Sequence, residues 1–496
     1  GLPLSCLAEP FFFGLFGMVE ERSYEESPKD VNAVFWKSWL AVFGGYIPCF
    51  LAFFPGVYGY DMSWQWQMYV DRNYNTHHPI LHTVLSGWIL ETGNGIFGSY
   101  NGGLAVYALF QLLIFSGCIA FGLRFLHKIR ISRKLRIIAT GFYILFPLLP
   151  VLGISTTKDV IFAGLFLAVF VGICDMVNSR KLYQGWRMVV FFSFTILMGL
   201  FRNNGLYSLA VMAVCLLAGA MVGKRQGRRM HLNGKLAVLL LAAVVGIYGT
   251  LTMLQVGFHA KKGSVVEMMS IPFQQMARTY LCHRHELQKE DRELLLEYVP
   301  EYAMESYTYH ISDPVKGAVN EKYLMDHKMD FINLWLRLGF QFPKEYILAT
   351  MYNTFGIWYL GEDFSSYTVM EMSPPFDSTR IVKTHSLIPP LKSVYSWFTA
   401  FNIKKKLPVL SMVFFTPFYV WTVLTCAVIV TVRKSYIYLI PPLYLLSYIL
   451  TLALGPCMMM RYMLPVVVCV PILLPMVFFR MYEEIENESQ IYRMEH

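Results

Sequence analysis

A chain of 496 residues that is 55% hydrophobic, 16% aromatic and only 15% charged is too apolar and charge-poor for a soluble protein of this length. Several uncharged apolar runs reach the roughly 20 residues needed to cross a bilayer as a helix. They are continuous, not alternating, which argues against a β-barrel. The net charge of +9 is not a nucleic-acid signal, because Lys and Arg cluster in short loops between the apolar runs.

The expected fold class is therefore an all-α polytopic membrane protein. Apolar spans fall at about 4–19, 36–54, 104–126, 136–153, 159–178, 187–201, 206–223, 235–255, 408–432, 435–454 and 461–480, about eleven helices. The first lacks a basic leader and an A-x-A site, so it reads as a span and not as a signal peptide. Basic loops hold Arg124, Lys128, Arg130, Arg133, Lys134 and Arg136, then Arg180, Lys181 and Arg187, then Lys224, Arg225, Arg228, Arg229 and Lys235, and finally Arg433 and Lys434. All fall on one side if the spans alternate, and positive loops place that side in the cytoplasm. Ile80–Phe97 is apolar enough to cross, but crossing would move the loop at 124–136 outside. It also carries His82, Glu91 and a Gly-Asn-Gly break, so a helix at or dipping into the outer interface is expected.

Three parts follow. Residues 1–255 form an N-terminal transmembrane module whose first external loop, 55–100, carries the chemistry. Residues 256–407 form a small external, membrane-resting helical domain, and 408–496 form the last transmembrane helices and a cytoplasmic tail. Within the external domain Ser270–Leu281 reads as an interfacial helix, with Gln274 and Arg278 one turn apart. Nine cysteines lie mostly inside apolar runs, so no disulfide framework is expected.

The external loops concentrate the polar groups. Asp61 follows the second span and is placed to accept a proton, hold a metal or cap a helix. Trp64 and Trp66 fit an interfacial belt or a sugar platform. His77 and His78 precede Pro79, which starts a helix. His78 and His82, spaced i, i+4, have metal-ligand spacing, and Cys282, His283 and His285 form a similar weak cluster. Lys158 and Asp159 open one span, Arg202 joins two, and Arg461 opens the last. Each alone suits an interfacial anchor. With Arg278 they place several cations at one membrane face, which suits a lipid phosphate or diphosphate.

The order of GYDMSWQW (59–66), HHP (77–79), TTKD (156–159), FRNNG (201–205), SIPFQQMART (270–279) and MRYMLP (460–465) resembles the glycosyltransferase C superfamily, in an uncharacterised bacterial branch. Those enzymes take a sugar from a polyprenyl-phosphate carrier on the outer membrane face. The resemblance implies a multi-pass plasma-membrane glycosyltransferase acting with inversion on a glycan, lipid or protein acceptor. It implies that Asp61 orients or deprotonates the acceptor or helps hold a divalent metal. It also implies that Lys158, Arg202, Arg278 and Arg461, with His77, His78 and Gln274 beside them, bind the donor. Many members carry a second acid after the first; here Met62 stands there, leaving Asp159 or Asp71 to supply it. Two rivals stay open: a lipid-linked glycan polymerase or ligase, and a transporter or flippase.

Overall fold

The computed structural model describes residues 30–59, 61–225, 231–360, 382–383, 385–399 and 410–481. The main helices in chain order are α1 (Asp30–Ala52), α2 (Met62–Val70), α3 (Ile80–Phe97), α4 (Tyr100–Lys128), α5 (Arg133–Leu145), α6 (Leu148–Gly153), α7 (Lys158–Ser179), α8 (Trp186–Phe201), α9 (Asn203–Arg225) and α10 (His231–Gly257). Then come α11 (Ser270–His283), α12 (Lys289–Tyr298), α13 (Lys328–Gln341), α14 (Pro343–Asn353), α15 (Pro389–Thr399), α16 (Thr416–Val432), α17 (Ile440–Ala453) and α18 (Met460–Pro475). Among the described residues the only β pairing is in isolated bridges.

Seven described helices are long and apolar enough to cross a membrane: α1, α4, α7, α9, α10, α17 with the turn before it, and α18 with the turn after it. The eleven expected spans reduce as follows. The 4–19 span lies outside the described residues. The 136–153 span is broken at Phe146–Pro147 into α5 and α6, because proline lacks the N–H and its ring crowds the preceding turn. The 187–201 and 408–432 spans form the shorter apolar helices α8 and α16.

Helix α7 is the axis of the bundle, and its apolar window is entirely buried. Phe166 stacks on Tyr444 of α17 with ring centroids 4.5 Å apart, and Phe162 and Tyr448 continue the seam. Lipid is as apolar as these side chains, so close packing and hydrogen bonds, not escape from water, hold such helices together. Tyr143 donates to the Val468 carbonyl at 2.6 Å, and Tyr46 donates to the Tyr143 carbonyl at 2.9 Å.

Polar contacts fix helix direction. Lys128 at the end of α4 meets Asp175 near the end of α7 at 2.6 Å. Arg480, after α18, donates to Asn178 at 2.8 Å. The C-terminal ends of α4, α7 and α18 therefore share one face, the face of the basic loops. Lys158 and Arg461, at the N-terminal ends of α7 and α18, share the other.

At about 1.5 Å per residue, the 29-residue α4 is some 43 Å long, well beyond a hydrocarbon core of about 30 Å. Its excess pairs with α3, which precedes it and runs antiparallel beside it across the turn at Gly98. A Cβ on Gly93 would lie 2.2 Å from the Gly103 Cα, so the two backbones touch there. Helix α3 is thus not among the seven spans, and it stands along α4 instead of lying flat.

Residues 266–346 build a second core. Phe273, Met276, Ala277 and Tyr280 of α11 pack with Leu295, Tyr298, Phe331, Leu334 and Leu338. This corrects the interfacial expectation for Ser270–Leu281. The helix is central, because its polar residues are buried as well: Gln274 donates to the Thr308 carbonyl at 2.9 Å and Gln275 to Thr350 at 2.9 Å.

Candidate functional site

Two distant segments are laced together to make the site. Val57 and Ser155 form a parallel bridge, with Thr156 N–H donating to the Val57 carbonyl at 2.9 Å and Val57 N–H to the Ile154 carbonyl at 3.0 Å. Gly59 N–H donates to Thr156 Oγ1 at 3.2 Å. Gly56 lets the chain enter this clamp at φ +131°, where a Cβ would meet the Ile154 carbonyl at 3.1 Å. Thr157 then caps α7, accepting from Asp159 N–H. The clamp carries Asp61 and Lys158 to the same place.

Lys158 Nζ donates to Asp61 Oδ2 at 2.9 Å and to His78 Nδ1 at 3.3 Å. His78 is buried, and its Nδ1 lies 4.0 Å from Asp61 Oδ2. Accepting from Lys158 leaves the neutral imidazole with its proton on Nε2. Burial, then the charge of Lys158, holds His78 down to about 3, with Asp61 opposing them. Burial alone would raise Asp61. Lys158, Arg461 and His78 outweigh it and hold the carboxyl far below the usual carboxylate range.

Asp159 lies next along α7 and is 1% exposed. Arg202, between α8 and α9, forms an ion pair with its Oδ1, Arg461 Nε stands 3.9 Å from its Oδ2, and Thr157 donates to Oδ2 at 3.0 Å. Arg202 also donates to Asn204 at 3.0 Å. Tyr462 offers its ring to both guanidiniums, at 4.3 Å from Arg202 and 4.8 Å from Arg461. Among the described residues three cations thus face two carboxylates, and Asp61, 32% exposed, is the most open of these five.

Beneath the site runs a buried polar chain. His82 Nδ1 is 2.8 Å from the Gln65 side-chain amide, and His82 Nε2 is 2.7 Å from Tyr107 OH. Tyr107 donates to Gln111 Oε1 at 2.9 Å, and Gln111 Nε2 donates to the Gly153 and Ser155 carbonyls at 2.7 Å each. Gln111 fixes the direction: its amide nitrogen is used by carbonyls, so its oxygen takes the tyrosine proton. Tyr107 then accepts from His82 Nε2–H. His82 Nδ1 is left as an acceptor, which requires the Gln65 amide nitrogen to face it. That orientation also gives a partner to the buried Gln65 nitrogen. The chain ties α2, just after Asp61, to the segment just before Lys158.

Six of the nine expected site residues stand in or beside this group: Asp61, Asp159, Lys158, Arg202, Arg461 and His78. His77 is exposed, with its ring 4.6 Å from that of His78. Arg278 belongs to another group, donating to Glu345 at 2.7 Å and lying over Tyr352. Gln274 joins the second core to the bundle, since its partner Asn353 donates to the Gly455 carbonyl at 3.0 Å. Asp71 accepts from Gln67 at 2.7 Å on an exposed turn. Trp66 packs on Tyr69 and Tyr100, while Trp64 is exposed. Thr157, Asn204, Tyr462 and the Gln65–Gln111 chain were not picked out as site residues. Thr157, Asn204, Tyr462 and Gln65 lie inside the motifs TTKD, FRNNG, MRYMLP and GYDMSWQW, which is the available signal.

Among the described residues, the side chains at Asp61 and Asp159 do not fit a divalent cation. Each carboxylate already faces cations, and an ion at Asp61 would stand beside Lys158 and Arg461. Among the described residues no group of three or more His, Cys, Asp or Glu side chains could hold a metal, Cys282, His283 and His285 included. His78 and His82 point to different partners.

The fold and the cluster at one end of its helices define an α-helical membrane protein with a buried, cation-rich site. The chain belongs to the family described as "Family of unknown function (DUF6020)", which matches residues 70–491. The match includes every member of the cluster except Asp61. No curated protein and no solved structure matches the chain.

Proposed function

We propose that the cluster binds the phosphate of a polyprenyl-phosphate sugar, and that the protein transfers the sugar to a hydroxyl acceptor on the external face of a plasma membrane. The observation that carries this is the convergence of Lys158, Arg202 and Arg461 on Asp61 and Asp159, at the membrane face opposite the basic loops. Two arginines on a tyrosine ring beside a lysine suit a phosphate ester at headgroup depth. Helix α3 and the second core lie on this same side, and α8, α16 and the broken α5–α6 segment add three crossings to the seven long spans, ten among the described residues.

The reaction forms a bond from the acceptor oxygen to the anomeric carbon as the carbon–oxygen bond to phosphate breaks. The bonding pair stays on the carrier phosphate, where the cations stabilise the growing charge. The acceptor proton passes to Asp61. In the resting site Asp61 is too acidic for this, because Lys158 holds it. A phosphate arriving among the cations competes for Lys158 and raises the basicity of the carboxylate when it is needed.

The test is release of radiolabelled sugar from a panel of polyprenyl-phosphate sugars by wild type and Asp61→Asn in nanodiscs. Wild-type turnover that collapses in Asp61→Asn, with carrier binding kept, supports the reading. Turnover only from lipid-diphosphate donors supports a polymerase or ligase instead. Carrier movement across the bilayer without sugar release supports a flippase.

A further inference from the structure

Helix α13 has three faces. Phe331, Leu334 and Leu338 enter the second core. Asn333 and Arg337 are exposed, and Arg337 pairs with Asp291. Between core and polar strip runs a row of exposed apolar side chains: Met329 (65%), Ile332 (40%), Leu336 (43%) and Phe340 (85%). Steps of three, four and four residues keep them on one stripe. Ile347 and Met351, one turn apart on α14, are exposed as well. A soluble surface rarely carries so long an apolar row.

The neighbours say what covers it. The Trp358 indole donates to the Met351 carbonyl at 3.3 Å, and the Trp421 indole donates to the Trp358 carbonyl at 2.9 Å. Trp421 lies five residues into α16, about 7.5 Å below its start at Thr416. Thr416 itself donates to the Gly356 carbonyl. The end of α14 is thereby pinned at the depth where tryptophans sit at a bilayer interface. Trp421 is 43% exposed on the apolar helix α16. Met351, the last exposed apolar residue of the row, is the one whose carbonyl takes the Trp358 indole, so the row ends at the link to Trp421. Lys328 and Lys344, both exposed, flank the row and can reach the headgroups.

We propose that α13 and α14 form a monotopic anchor. The row from Met329 to Met351 inserts among the acyl chains of the leaflet on the site side, holding the second core down against the bundle. This depends only on the membrane fold, not on the sugar-transfer reading.

The test places a photoreactive benzophenone amino acid at Phe340 in the full chain, in nanodiscs of phosphatidylcholine with tritiated acyl chains. The position is exposed, so the side chain is tolerated. Val245 on α10, 72% exposed, is the lipid-facing reference, and exposed Glu290 on α12 is the solvent reference. The anchor predicts tritium adducts at Phe340 at the Val245 level and at least about tenfold above Glu290. Adducts no stronger than at Glu290 overturn it. So does an adduct to a second copy of the chain in place of lipid, which would make this row a dimer surface.

Discussion

The two ends of α7 are built from the same residue types and behave differently. At the basic-loop end Asp175 meets Lys128 at 2.6 Å and accepts from Tyr183 at 2.9 Å. Lys128 is 45% exposed, so water shares its charge. At the other end Asp159 is sealed between Arg202 and Arg461, and Asp61 is held by Lys158 beside a neutral histidine. The first arrangement is a pair that staples two helices. The second, at the upper end, gathers Lys158, Arg202 and Arg461 around Asp61 and Asp159 beside the Tyr462 ring, mostly out of water, where a charge is strongly felt.

The comparison breaks most sharply on Arg202→Met. It leaves Asp159 buried without its nearest partner and should cost about 3–5 kcal/mol, read as loss of folded yield or of Tm in detergent. If Arg202→Met is no more damaging than Lys128→Met, the two ends are equivalent and the account of the upper end fails. Next comes Gly93→Leu. The α3–α4 backbones touch at Gly93 and Gly103, so forcing them apart should cost about 1–3 kcal/mol and loosen the loop that carries His78. His82→Phe cuts the chain between Gln65 and Tyr107 and should cost about 1–3 kcal/mol by stranding buried partners. His82→Gln should restore part of it. Lys128→Met should cost no more than about 1 kcal/mol.

The upper end also sets a pH response. His78 is held down from 6.5 to about 3, so the unfolded chain binds its proton first. Its contribution is complete above about 6.5 and is lost as pH falls from there toward 3. Asp61, also held down, contributes above the usual carboxylate range and loses that contribution below it. Stability should therefore fall steadily with acid below neutrality. His78→Gln should flatten the part of the curve above the carboxylate range, as read by chemical denaturation from pH 4 to 7.

Much of this was legible in the sequence, for identifiable reasons. Continuous apolar runs mark the spanning helices directly. Charged residues at span ends mark Lys158, Arg202 and Arg461, because an ionised group there is costly unless used. What the sequence hides is pairing. Nothing local says that Val57 bridges Ser155, the contact that joins Asp61 to Lys158. Arg278 reads like the other cations, yet its partner is Glu345, 67 residues away in the second core. Pro147 interrupts an apolar run that hydropathy alone counts as one span. The Gln65–Gln111 chain is invisible as a motif, since its members come from α2, α3 and α4.

The phosphate site proposed above lies at Lys158, Arg202 and Arg461 and not at Lys128. Equilibrium binding of tritiated polyprenyl phosphate to the full chain in nanodiscs tests it most directly, for wild type, Lys158→Met and Lys128→Met. The account predicts saturable binding that falls by about tenfold or more in Lys158→Met, the loss of one charge-assisted contact, and is unchanged in Lys128→Met. Equal binding by wild type and Lys158→Met, or equal losses in both variants, would contradict it.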